Sequence, residues 1–267
     1  VFFARISDKL GRRPVMLFGM LLMLALYFPG FHFITRTGNP ALDAASAAAP
    51  AVVVADPADC SFQLDLTGGA HQFSTSCDIA KSALSNAGVS YTTVPAATGA
   101  TARIRVGDSV EIESVSAIGQ SASGVRATRQ AFEARLREAL NQAGYPAAAP
   151  GAMREWSVSE VLRVFREKIG VFAVMALFVL AATALYGPQA AALVELFPTR
   201  IRYTALSLPY HIGTGWFGGL LPATVFAINT ATGNNYSGLW FPTIVTAIAA
   251  TIFFFFWPET KDRDIHS

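Results

Sequence analysis

The chain has 267 residues, 52% hydrophobic and 14% charged, with a net charge of +2 and a mean hydropathy of +0.41. Ordinary soluble domains carry about 25% charged residues, and the deficit here is uneven: residues 36–153 are polar, alanine-rich and dotted with acids, whereas both flanks hold long uncharged stretches. That excludes a single soluble enzyme domain and a disordered chain, and implies a membrane protein carrying a soluble insert.

The opening Val1-Phe2-Phe3-Ala4 reads as the end of an apolar segment without a secretory leader pattern, so a stretch of a longer chain is expected. Pro14 to Thr35 is free of Asp, Glu, Lys and Arg, as are Ile169 to Val194 and Tyr203 to Pro258. A crossing helix needs about 20 apolar residues. Four spans are therefore expected, at 14–35, 170–194, 206–228 and 239–257, the last two joined by the turn-rich run Asn229 to Gly238. The clusters Arg5/Lys9/Arg12/Arg13, Arg200/Arg202 and Lys261/Arg263 then share one side, which the positive-inside rule makes cytoplasmic. The insert and the uncharged loop 229–238 fall on the opposite, exterior side. Residues 154–168 form an amphipathic lead-in whose cations are interleaved with Glu155, Glu160 and Glu167.

Within the insert, Thr37 to Met153 holds ten acidic and seven basic residues and both cysteines of the chain, Cys60 and Cys77. An even count confined to an exterior segment suggests a disulfide formed in an oxidising compartment, worth about 3 kcal/mol in the chain-entropy model; two buried free thiols are the alternative. Phe62, Leu64 and Leu66 alternate as on a strand, and Ser74-Thr-Ser76 caps a short helix ending at Gly88. Val89 and Tyr91 resume a strand pattern, and Gly107-Asp108 turns a hairpin. A longer helix from about Gly124 to Ala143 puts Val125, Phe132, Leu136 and Leu140 on one face. A small α+β domain follows, tethered by Pro/Ala-rich stretches at 40–58 and 146–152 whose composition does not build a core. With His71 as its lone histidine and no phosphate loop or paired metal ligands, the insert holds no reaction centre. No metal site, nucleic-acid partner or enzymatic activity is expected of the chain.

The loop Ala4-Arg-Ile-Ser-Asp-Lys-Leu-Gly-Arg-Arg13 combines an acid, a glycine and a cationic cluster at a helix junction. The cations hold the loop in the cytoplasm, Gly11 permits a tight turn, and Asp8 pairs with a neighbouring cation or caps a helix N-terminus. This resembles the loop signature of the major facilitator superfamily, matched at Ser7, Asp8, Lys9, Gly11, Arg12 and Arg13, with Ala4 in place of its first glycine. Tyr186-Gly-Pro-Gln through Glu195-Leu-Phe-Pro-Thr-Arg-Ile-Arg202 is similar to a signature of the metabolite:proton symporter family, and Pro258-Glu-Thr-Lys261 resembles the ending shared with sugar porters. The resemblance implies the C-terminal part of a twelve-helix, all-α polytopic fold with an inserted α+β domain. Residues 1–35 would be the end of the eighth helix, the signature loop and the ninth helix. Residues 36–153 would be the exterior insert, for which the family offers no counterpart. Residues 154–267 would supply the lead-in, helices ten to twelve and a cytoplasmic tail.

What the resemblance implies for function is alternating access, with two six-helix halves rocking about a central site. The expected activity is secondary transport, proton-coupled symport of a small polar or anionic metabolite, with the proton as coupling ion and no other cofactor. The expected setting is the inner membrane, with a missing N-terminal half, the lipid bilayer and the small-molecule substrate as partners. From the residues themselves, Gly187-Pro188 should kink the second span beside Tyr186 and Gln189. Gly213, Gly215, Gly218 and Gly219 should permit close helix approach. Tyr186, Gln189, Tyr210, His211, Thr214 and Trp216 are the cavity candidates; His211 is either a coupling group or a neutral histidine bonded between helices. Asp8, Lys9, Gly11, Arg12, Arg13, Glu195, Arg200 and Arg202 are candidates for a conformational gate. A sugar or polyol porter is the nearest alternative, and a membrane-anchored receptor using the insert as its binding domain is the alternative from another class.

Overall fold

The computed structural model describes residues 2–66, 72–108, 110–147 and 157–261. His71, Arg154, Glu155, Arg263 and most of the tether at 146–152 lie outside the described residues. The chain divides into two compact units, one of residues 1–38, 156–221 and 239–267 and the other of residues 39–155 and 222–238.

In the first unit, helix α1 (Phe2–Leu10) turns at Gly11 into α2 (Arg12–Gly38). Among the described residues, three helical stretches are long and apolar enough to cross a membrane: α2, α7 (Ile169–Leu196) and Ser237–Phe256, which includes α10 (Trp240–Phe256). The expected span at 206–228 is helical but broken. It forms α8 (Arg202–Ile212), a π-helical turn over Gly213–Gly219, and α9 (Leu221–Thr232). Its composition explains the break. Glycine costs a helix about 1 kcal/mol relative to alanine, proline removes an N–H, and this stretch contains four glycines flanked by Pro209 and Pro222. The Thr214 hydroxyl also donates to the Tyr210 carbonyl (2.7 Å) within the widened turn.

Close packing of α2 on α7 comes from small residues, though not the glycines singled out above. Around Gly213, Gly215 and Gly218 there is open space, whereas a Cβ at Gly19 would stand 2.8 Å from the Leu185 nitrogen and 2.9 Å from the Ala181 oxygen. Gly30 faces the Phe178 ring in the same way. Ala181, Ala184 and Ala192 are fully buried on the matching face of α7. Met16, Met20, Ala250 and Phe253 close the core between α2 and α10. The outward side chains, such as Val179, Phe255 and Phe256, are apolar and exposed, as hydrocarbon solvent requires. α7 continues through Pro188 as one helix rather than ending there. At its outset stands α6 (Val158–Glu167), capped by Ser157 and Glu160 in a reciprocal box. The Lys168 ammonium donates to the Thr37 carbonyl at the C-terminus of α2 (2.6 Å).

In the second unit, α3 (Pro40–Ala48) leads to strand β1 (Ala51–Ala55). α4 (Ser76–Asn86) crosses to β2 (Tyr91–Pro95); β3 (Arg103–Val106), β4 (Val110–Glu113) and α5 (Ala122–Gln142) follow. The sheet order is β2-β1-β3-β4, with β1 and β2 parallel and the other pairs antiparallel. The stretch 40–58 is thus no tether: its alanines make a helix with Pro40 in the first turn, and Ala-Val-Val-Val-Ala is a central strand. Small side chains let β1 pair on both edges while Ala51, Val53 and Ala55 are buried. Phe62 and Leu66, in contrast, are exposed on irregular backbone and no strand forms there. Thr75 caps α4, Gly88 and Gly144 sit past the ends of α4 and α5 with positive φ, and Gly107 turns the hairpin. Val125, Phe132, Leu136 and Leu140 of α5 are buried against Val53, Ile79, Leu84 and Ile104. Cys60 and Cys77 are joined as a disulfide with their Cα atoms 5.2 Å apart.

The loop after α9 belongs to this unit as well. Tyr91 donates its backbone N–H to the Gly233 carbonyl (2.8 Å) and its hydroxyl to the Thr230 carbonyl (2.7 Å). The Asn235 amide donates to the Gly88 carbonyl (2.7 Å). Gly233 has φ +73°, and a Cβ there would lie 2.1 Å from the Tyr91 oxygen, so only glycine fits.

Two expectations follow. Gly19→Val should destabilise the first unit by about 1–3 kcal/mol, the range for overpacking, and a detergent unfolding titration with an unchanged midpoint would refute the close approach. The Asp56 carboxylate accepts N–H bonds from Gly99 (2.8 Å) and Ala58 (3.0 Å), which hold its pKa below the ordinary value. Its contribution is therefore full above the unfolded carboxylate pKa of about 3.9 and is lost as pH falls through the lower folded value. Asp56→Asn should remove that part of the acid unfolding limb, measured by amide exchange at Ala58 and Gly99.

Candidate functional site: a charged latch at the helix junction

In the first unit a cluster of ionised groups meets at the α1–α2 junction. Arg12 is buried, with 9% of its surface exposed. Its guanidinium donates to Glu195 near the end of α7 (Nη2–Oε1 2.9 Å, Nε to both oxygens 3.3 Å), to the Ser7 hydroxyl (2.8 Å) and to Asp8. Glu195 also accepts from the Thr260 hydroxyl (2.7 Å). Glu259 accepts the backbone N–H groups of Arg12 (2.8 Å) and Arg13 (3.1 Å), which are the first two of α2. A carboxylate thus caps the positive end of a 27-residue helix, and it is Glu259, not Asp8, that does so. Burial opposes ionisation of Glu259, but the N–H groups of Arg12, Lys261, Arg13 and Thr260 outweigh it and hold its pKa below the ordinary value.

Gly11 makes this possible. Its φ is +107°, and a Cβ would lie 2.4 Å from the Glu259 Oε2. Arg13 donates to the Phe254 carbonyl, and its guanidinium carbon sits 5.6 Å from the Phe254 ring centroid. The Lys261 ammonium donates to the Lys9 carbonyl (2.8 Å), while the Lys9 side chain is exposed. Of the expected gate residues, Asp8, Gly11, Arg12, Arg13 and Glu195 therefore meet. Arg202 instead braces the Phe197 carbonyl (3.1 Å), and Arg200 is exposed in the intervening turn. Glu259 and Thr260 lie outside the expected gate; the Pro258-Glu-Thr-Lys261 run that carries them is the one signal of their presence in the sequence.

The six cavity candidates do not converge. Tyr186 lines an apolar cavity of about 520 Å³ between α1 and α7, with Phe2, Phe3, Leu180, Thr183 and Gly187. Gln189 is half-buried one turn on. Tyr210, His211, Thr214 and Trp216 are exposed along α8 and the π turn, with the Tyr210 and His211 rings 5.8 Å apart. Among the described residues, no hydrogen bond joins them to Tyr186 or Gln189. The second unit has its own cavity of about 530 Å³, floored by Leu42, Val89, Leu136 and Leu140 and edged by Asn86 and Glu133. Among the described residues no metal-binding cluster of His, Cys, Asp or Glu is present.

Residues 156–267 match the family model described as sugar (and other) transporters. The likeness is to transporters and covers the stretch holding Glu195, Glu259 and the broken helix, less than half of the chain. No curated protein and no solved structure matches the chain.

The Arg12–Glu195 pair is largely buried, whereas the Asp8 side chain is 60% exposed. Removing one partner of a buried pair costs about 3–5 kcal/mol, against about 0.2–1 kcal/mol for an exposed pair. Glu195→Ala should accordingly lower thermal stability several times more than Asp8→Ala. Equal shifts in the melting midpoint would show that burial does not rank the two contacts.

Proposed function

We propose that the chain forms part of a proton-coupled symporter for a small polar or anionic metabolite, working by alternating access together with an N-terminal six-helix half. The observation that carries this reading is the charged latch. It ties the loop between α1 and α2 to the end of α7 and to the segment after α10 through contacts on short, polar, directional groups, all of which part if the helices separate by a few ångströms. Such contacts hold one conformation and are absent from the other, which is what a two-state carrier requires. Asp8, Arg12, Arg13, Glu195 and Glu259 make up the inner latch, with Lys9 joining through its backbone carbonyl; Arg200 and Arg202 flank it. Tyr186, Gln189, Tyr210, His211, Thr214 and Trp216 face the substrate once the other half is in place, and the exposed π turn supplies the flexible wall.

The proposed setting is the inner membrane, with latch and C-terminal segment cytoplasmic and the insert outside. The bonds from Tyr91 to Thr230 and Gly233 favour this topology, because charge counting assigns the insert and loop 229–238 to one side. A sugar or polyol porter is the second reading, favoured by the participation of Glu259 and Thr260 in the latch and by the matched family model.

Uptake into proteoliposomes containing the complete transporter should rise with an inward proton gradient for organic acids, amino acids or betaines. Gradient-independent uptake of hexoses or polyols would replace the first reading with the second. Asp8→Asn should change turnover by up to about fivefold, the equivalent of 1 kcal/mol, with substrate affinity nearly unchanged; unaltered turnover would remove Asp8 from the latch.

A further inference from the structure

The bond between Cys60 and Cys77 has surroundings that a passive staple does not need. Cys77 is the second residue of α4 and is completely buried, whereas Cys60, after β1, is half-buried. Asp78, also completely buried, reaches back across the bond: its Oδ1 accepts the N–H of Ser61 (2.8 Å), the residue after Cys60, while its Oδ2 has no hydrogen-bond partner among the described residues. Lys81 lies four residues beyond Cys77 on the same helix face and is 7% exposed. Arg129 approaches from α5, donating to the Phe73 carbonyl and interacting with the charges of Asp78, Glu133 and Asp65. Burial pushes the Lys81 and Arg129 pKa values down, with the Asp78 charge opposing in both cases. Charged groups are expensive to bury, and this unit buries Asp78 and Lys81, with Arg129 half-buried, on the helix that carries Cys77 and beside it.

We propose that Cys60–Cys77 is a thiol–disulfide exchange site that takes two electrons from an external dithiol. The thiolate of the dithiol attacks Cys60 Sγ, the more accessible sulfur. A new sulfur–sulfur bond forms there, the Cys60–Cys77 bond breaks, and Cys77 leaves as a thiolate. The second thiol of the reductant, giving up its proton, then attacks the mixed disulfide at the reductant's own sulfur. It releases Cys60 and closes the reductant's disulfide. Two electrons and two protons pass from the dithiol to the cysteine pair. The leaving sulfur determines the ease of the first step, because a thiol of lower pKa leaves faster. The positive end of α4 and Lys81, one turn on, favour Cys77 as that leaving group against the opposing charge of the adjacent Asp78. Lys81 is a positioning residue whose charge stabilises the departing thiolate.

The whole chain in detergent is incubated with excess dithiothreitol, and the pair is followed by mass after alkylation. The folded chain should be reduced at least as fast as the same chain unfolded in urea. Protection of the folded form by more than about tenfold would overturn the proposal, since an inert buried bond is screened. With oxidised glutathione, Cys77→Ser should form a mixed disulfide at Cys60, releasing one reduced glutathione, while Cys60→Ser leaves Cys77 shielded; the reverse order would overturn the assigned direction of attack. Lys81→Met should shift the equilibrium with dithiothreitol about tenfold towards the disulfide, equivalent to about 30 mV for two electrons. Lys81→Arg should restore it. A fold-neutral Lys81→Met with an unchanged equilibrium would refute the role of the ammonium.

Discussion

A single guanidinium organises the first unit. Arg12 enters the structure buried, so its charge has to be met by carboxylates brought from elsewhere in the chain. Glu195 comes from the end of α7, 183 residues away, and Glu259, 247 residues away, takes the backbone N–H of the same arginine. The requirement to satisfy one cation and one helix terminus therefore fixes where three distant segments meet. The apolar contacts between α2, α7 and α10 set the spacing, through Gly19 and the alanines of α7, but apolar contacts alone are non-directional. Register at the junction is set by the polar bonds.

The two units solve the same problem, the satisfaction of backbone polar groups, in different solvents. In the first, long helices satisfy their backbone largely within themselves, interrupted at Pro29 and Pro188, and display phenylalanine and valine outwards. In the second, a mixed four-stranded sheet does so with a buried aliphatic core and polar outer faces. The π turn of Gly213–Gly219 is where the helical solution is weakest, since glycine contributes no side chain and wide turns bond poorly.

Much of this was legible in the chain itself. Charge-free runs marked the long helices, because hydrocarbon tolerates so few ionised groups. Leu136 and its helical neighbours marked the buried face of α5 through their 3.6-residue period. Alanine misled in both directions. Residues 40–58 were read by composition as unable to pack, yet small side chains are what a central strand with close neighbours on both edges accommodates. Phe62, Leu64 and Leu66 have the alternation of a strand, but their stretch is held to α4 instead, by Ser61 N–H to the Asp78 carboxylate and the Gln63 amide to the Asp78 carbonyl, and alternation alone does not create pairing. At the latch, Asp8, Gly11, Arg12 and Glu195 could be read from residue type and spacing, whereas the partnership with Glu259 spans most of the chain and leaves no local period. Long-range pairing is invisible to periodicity.

The contact between Gly233 and Tyr91 bears on how this sheet behaves in company. An open margin of parallel or antiparallel backbone is a template on which another chain can grow. Here β2, one outer strand, has its first N–H claimed by Gly233 and ends in Pro95, which has none to offer. The other outer strand, β4, alternates Glu111 and Glu113 with its aliphatic residues. Both borders thus offer a second copy fewer open backbone groups on which to add a strand, one through a borrowed loop and an imino acid, the other through negative charge.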